Sequence, residues 1–179
     1  MTRHHSLHDQ PNSFGWISIA LHWTTAVAVI ALWFIGKSIV WLPAEEMDQR
    51  RSLHITIGLI AWLPLAVRIV WRLRVKHPRA EGQSEREHKV ARVAHALMLV
   101  VLSLMILSGP VMAWSLPERT ALSNFALAIH GNAANVLFVL IVLHVAGALK
   151  HLMFDDDETI ARIFVPRKTV AKPQSEENS

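Results

Sequence analysis

Residues 130–144 read HGNAANVLFVLIVLH, two histidines at the ends of an otherwise apolar run. They stand 14 residues apart, about 21 Å along a helix and only about 40° short of whole turns, so both rings share one face. The run belongs to residues 120–149, thirty positions without Asp, Glu, Lys or Arg. A membrane helix needs roughly 20 mostly apolar residues. Similar charge-free runs cover 10–36, 52–67 and 93–117, and the second reaches spanning length by continuing through Arg68 to Trp71. Four spanning helices are predicted near Trp16–Ile35, Leu53–Trp71, Val93–Ala113 and His130–Leu149. In lipid they must be helices, because an isolated strand leaves its peptide groups unpaired. Pro64 is predicted to kink the second helix rather than end it, and Gly109-Pro110 to weaken the end of the third.

Composition agrees. Of 179 residues, 52% are hydrophobic and 18% charged, against about 25% charged in soluble domains. A soluble enzyme is excluded. The absence of Cys excludes disulfide scaffolds, iron–sulfur ligation and covalent c-type haem attachment. A net charge of +4 could suggest nucleic acid, but basic residues between apolar runs belong to the cytoplasmic face of a membrane protein. Arg3, the seven Lys and Arg from Arg72 to Arg92, and five from Lys150 onward fall on one side, against Lys37, Arg50, Arg51 and Arg119 on the other. Both termini are therefore expected in the cytoplasm of a bacterial inner-membrane protein. The first apolar run is too long for a cleavable signal peptide and lacks a cleavage site. The expected architecture is all-α: a cytoplasmic tail (1–15), an antiparallel four-helix transmembrane domain (16–154) and a second cytoplasmic tail (155–179). Trp16, Trp41, Trp71 and Trp114 read as interfacial anchors, and His4, His5 and His8 as a solvated cluster.

Ionisable groups inside a bilayer are costly and mark function by default. With the N-terminus inside, His22 and His144 lie toward the cytoplasmic face, whereas His54 and His130, each opening a helix, lie toward the periplasmic face. A single membrane histidine can simply bond a carbonyl across helices. Two layers, spanned by one helix that carries a histidine in each, instead suit two buried cofactors stacked across the membrane. Axial imidazoles hold haem iron, and facing bundle helices supply such pairs. Gly58, Gly131 and Gly147 are expected to make room for a flat macrocycle. Zinc fits poorly without acidic or thiol partners.

The ordered motifs carry a resemblance. They are Ile-Ala-Leu-His-Trp at His22, Leu-His-Ile-Thr-Ile-Gly at His54 leading to Arg68 and Arg72, and Ala-His-Ala-Leu at His95. Ile-His-Gly-Asn-Ala-Ala-Asn at His130, His144 with His151, and Pro166-Arg167-Lys168 complete the set. Over about residues 14–168 the sequence resembles the bacterial cytochrome b561 family of four-helix di-haem b cytochromes, including its superoxide:ubiquinone oxidoreductase type. The resemblance implies a four-transmembrane-helix bundle enclosing two haem b groups, His22 with His144 on the cytoplasmic haem and His54 with His130 on the periplasmic one. It also supports a quinone near His151, with Trp16 and Ser18 as neighbours. Ala20 stands where those enzymes can carry a quinone-side Ser, and the second loop is longer and more charged.

Two axial imidazoles leave iron no open position, which points to outer-sphere electron transfer. Arg68 and Arg72 are placed for cytoplasmic haem propionates or a quinone, and Arg50 and Arg51 for the periplasmic haem. His95 is either a neighbour of the cytoplasmic haem or a rival ligand to His22. The leading expectation is superoxide oxidation at the periplasmic face coupled to ubiquinone reduction at the inner face, with Lys37, Arg50 and Arg51 steering the anion. The alternative is an electron-transfer subunit that serves a separate dehydrogenase or other redox protein. No nucleic-acid partner is expected.

Overall fold

A computed structural model describes residues 6–10, 13–75, 85–116, 118, 120–154 and 163–164. Its helices are α1 (Trp16–Ser38), α2 (Ala44–Arg74), α3 (Glu85–Trp114) and α4 (Ala121–Phe154), with a 3-10 turn at Ile39–Trp41. All four are long and apolar enough to cross a membrane, and they form the expected all-α four-helix membrane bundle. α2 runs through Pro64 and α3 through Pro110 without ending.

Three helices begin eight or nine residues earlier than expected. Charge-free runs mark where lipid can lie, not where hydrogen bonding starts. Pro43 leads into α2, where Glu45 and Glu46 occupy the first turn and complement the positive end of the helix dipole. Glu85 and Glu87 do the same for α3. At α4 the Thr120 amide donates to Ser123 Oγ (2.9 Å) and the Ser123 amide to Thr120 Oγ1 (3.2 Å). This is a reciprocal cap of the capping-box type with Ser in the usual Glu position. His54 and His130 consequently lie about three turns inside their helices rather than at the openings.

α1 packs chiefly on α2 and α3 on α4, while α1 and α4 meet sparingly. Ala61, Leu65 and Ile69 of α2 meet Leu102 of α3 and Leu137 of α4 in one buried cluster. Most other large apolar side chains, such as Val27, Ile60, Leu107 and Leu143, point outward, as lipid-facing residues do. Beside the cluster, Trp33 of α1 stacks on Phe138 of α4 with centroids 3.9 Å apart and planes 10° off parallel.

Leu65→Ala is expected to destabilise the detergent-solubilised protein by on the order of 2 kcal/mol, seen as a lower thermal midpoint. The loss is of packing contacts around a cavity rather than of solvent transfer, since lipid is as apolar as the core.

The N-terminal segment is folded onto the bundle. The Trp16 amide donates to the Ser6 carbonyl (3.3 Å) and the Ile17 amide to the Leu7 carbonyl (3.2 Å). These acceptors satisfy two of the amides that a helix start leaves open. Gly15 passes so close to the Leu7 and His8 backbone that no side chain fits there.

Candidate functional site

The four histidines meet in two pairs at two depths. His22 of α1 and His144 of α4 have ring centroids 6.4 Å apart; His54 of α2 and His130 of α4 stand 6.3 Å apart. Two imidazoles binding one metal from opposite sides, each about 2.0 Å from it through nitrogen, have centres roughly 6.2 Å apart. Both pairs match that spacing. His95 of α3 lies 5.0 Å from His144, too close to share a metal in that way. His95 therefore sits beside the His22–His144 pair.

Hydrogen bonds orient two of these rings. Ser108 Oγ donates to the Leu104 carbonyl at 2.6 Å, so its oxygen accepts from His130 Nδ1–H at 3.0 Å. That tautomer leaves His130 Nε2 with a free lone pair, the state a metal-binding imidazole requires. His95 Nδ1 lies 2.6 Å from the Ala91 carbonyl, which can only accept, so its Nε2 is unprotonated as well. His54 Nδ1 is buried without a well-formed hydrogen bond, with the Leu32 backbone as a neighbouring acceptor.

Gly58, Gly131 and Gly147, expected to leave room for a macrocycle, have little or nothing against them, while two other glycines pack against the histidine rings. A Cβ at Gly131 or Gly147 would meet nothing within 4 Å, and one at Gly58 only Leu32 at 3.9 Å. At Gly36 it would stand 3.1 Å from His54 Cε1 and 3.3 Å from Nδ1, and at Gly109 3.5 Å from His130 Cε1. Neither Gly36 nor Gly109 shows in sequence as a ring neighbour, because each faces a histidine on another helix.

Arg68 and Arg72 are half-buried on α2 within electrostatic range of the His22, His95 and His144 layer, Arg68 of His22 and both of His95. Ser18, expected beside a quinone, is 1% exposed. Its hydroxyl donates to Asp9 Oδ2 (2.9 Å) and accepts from Trp71 Nε1 (2.8 Å). Trp16 opens α1 and is exposed. His151 lies in the last turn of α4, with its side chain outside the described residues. Toward the other end, Arg50 is half-buried one turn before His54, Arg51 pairs with Asp48 at 2.7 Å, and Lys37 stands over the Trp33 ring. Arg119 and Pro166-Arg167-Lys168 lie outside the described residues.

The donor set fits haem. Among the described residues no group of three or more His, Asp or Glu is placed to hold a metal ion, the number a protein-held zinc ion needs. Two opposed imidazoles suffice where a macrocycle supplies the remaining donors.

A family model described as prokaryotic cytochrome b561 matches residues 13–166. Among curated proteins the chain is 28% identical to cytochrome b561 homolog 2 of Escherichia coli (strain K12), covering 88% of this chain and 94% of that protein. It is 25% identical to cytochrome b561 homolog 1 of the same organism, covering 88% and 99%.

Proposed function

Because the chain belongs to the prokaryotic cytochrome b561 family, membrane b-type cytochromes of electron transfer, we propose that it binds two b haems and couples superoxide oxidation at the periplasmic face to ubiquinone reduction at the cytoplasmic face. The observation that carries this reading is the pair of histidine couples with centres 6.3 and 6.4 Å apart at two depths of one bundle. His54 and His130 hold the periplasmic haem, and His22 and His144 the cytoplasmic one, with both termini on the cytoplasmic side. Bound there, haem would supply one-electron redox chemistry.

The remaining residues bind and orient. Ser108 holds His130 in the tautomer that ligates, and the Ala91 carbonyl holds His95 beside His144 without competing for His22's place. Arg68 and Arg72 offer guanidinium forks to propionate or to a quinone oxygen. His151 donates to and relays protons for the quinone, with Trp16 and Ser18 as its quinone-side companions. Arg50, with the more constrained Lys37 and Arg51, attracts the anion to the opposite face. The balance is two superoxide anions, one ubiquinone and two protons giving two O₂ and one ubiquinol.

Stopped-flow spectroscopy on the purified protein tests the reading. Superoxide is expected to reduce the haems, and ubiquinone to reoxidise them. Lys37→Glu with Arg51→Glu slows the first phase and weakens its salt dependence, since screening acts over about 8–10 Å. His151→Ala slows only the second. Haems that superoxide fails to reduce, but a co-purifying dehydrogenase does reduce, would assign the protein to a redox-partner role instead.

A further inference from the structure

In a bundle with few buried side chains, the most buried polar side chain, Ser18, belongs to a small network centred on Asp9, a residue that the proposed reaction does not use. Asp9 accepts from the Gly15 amide (2.8 Å) through Oδ1 and from the Ser18 hydroxyl (2.9 Å) through Oδ2. Ser18 accepts in turn from Trp71 Nε1. The His8 ring lies 5.9 Å from the Trp71 ring, and Ser13 is 3% exposed. One carboxylate thus ties the N-terminal segment to α1 and, through Ser18, to α2.

Its position bears on the cytoplasmic layer. Ser18 stands one helical turn before His22 on the same face of α1, and Trp71 lies between Arg68 and Arg72 along α2. The Asp9 carboxylate is an electrostatic neighbour of both arginines. Two guanidinium groups drawn together at a membrane boundary repel each other and lose hydration, so they need a counter-ion nearby. Among the described groups acting on them, Asp9 is the one negative charge, and it arrives from a segment the helices themselves do not supply.

We propose that residues 6–10 and 13–15 form a fixed cap on the cytoplasmic end of the bundle, latched by Asp9. Asp9 is further the positioning residue that holds the Arg68–Arg72 pair and sets the charge felt at the His22, His95 and His144 layer. The charge-setting half rests on the reading that this layer holds a haem; the latch does not.

Three variants of the full-length protein separate the two halves. Asp9→Ala removes both hydrogen bonds and is expected to speed hydrogen exchange at the Trp16 and Ile17 amides about tenfold or more. Asp9→Asn keeps the shape but removes the charge. In redox titration it is expected to raise the midpoint potential of the cytoplasmic haem while leaving the periplasmic one, about 21 Å away along α4, in place. Asp9→Glu returns that potential toward the starting value. Unchanged exchange in Asp9→Ala overturns the latch. A potential that stays put in Asp9→Asn, or two potentials that move together, overturns the charge setting and leaves Asp9 a structural peg. A preparation without haem would fail the proposed function, and the exchange measurement would still decide the latch.

Discussion

Alanine at His54 or His130 is expected to leave one haem per chain in place of two, and alanine at His22 or His144 to remove the other. Each pair spans two helices, His54 on α2 facing His130 on α4 and His22 on α1 facing His144 on α4, with both couples at the spacing of opposed metal ligands. Losing one imidazole would leave the group held by a single histidine, with no second His at the right distance among the described residues. Beside the His22–His144 pair His95 is nearest, but its ring is 5.0 Å from His144 and anchored to the Ala91 carbonyl. Pyridine-haemochrome analysis against protein mass gives the count, and the surviving spectrum identifies which haem remains. His54→Ala and His130→Ala must lose the same component. A wild-type stoichiometry of one or zero contradicts the reading, as does loss of the cytoplasmic haem in His95→Ala with retention in His22→Ala.

Gly36→Val is expected to bring the haem count down to about one as well, without touching any ligand. A Cβ there stands 3.1 Å from His54 Cε1, and valine adds two methyl groups beyond it. The ring cannot retreat cheaply, since overpacked side chains force off-rotamer conformations or backbone shifts costing about 1–3 kcal/mol. A displaced ring no longer aims its nitrogen at the point His130 faces. Gly36→Ala asks for a shift of only a few tenths of an ångström and lowers occupancy less. Gly109→Ala, whose Cβ meets His130 at an ordinary 3.5 Å, is expected to keep both haems. Haem-to-protein ratios for the three variants give the order, and two full haems in Gly36→Val would break it.

The histidine layers could be read in sequence because the bilayer makes each imaginable error expensive. An imidazole among Val and Leu must have a partner, and the 14-residue interval in α4 fixes the depth of both rings from one helix. Helix starts were harder, since Glu45 and Glu85 obey rules of capping and dipole that a search for uncharged runs ignores. The Thr120–Ser123 cap was visible as a four-residue pattern at the head of the charge-free run, and it accounts for the nine residues of α4 that precede His130. Gly36 and Gly109 could not be found that way. Their importance lies in what stands opposite them, and one chain read alone gives no cross-helix distances. Asp9 was hidden for a related reason: it served to mark where charge stops, whereas in the fold it is the residue that joins the segment before α1 to two helices.

Between the two histidine layers the bundle is filled by Ala61, Leu65, Ile69, Leu102, Leu137 and the Trp33–Phe138 stack. None of these side chains can carry a proton, and the Ser103 hydroxyl on the same stretch of α3 is bonded back to the Leu99 carbonyl. On the proposed reading, an electron passing inward from the periplasmic to the cytoplasmic layer would travel without a charge carried by these side chains, and ubiquinone would take its protons from the inner side. Moving one elementary charge through 100 mV costs about 2.3 kcal/mol, so an inside-negative voltage opposes each such transfer and each transfer adds to that voltage. On that reading, the apolar slab that separates the two layers makes the membrane itself a capacitor in the reaction.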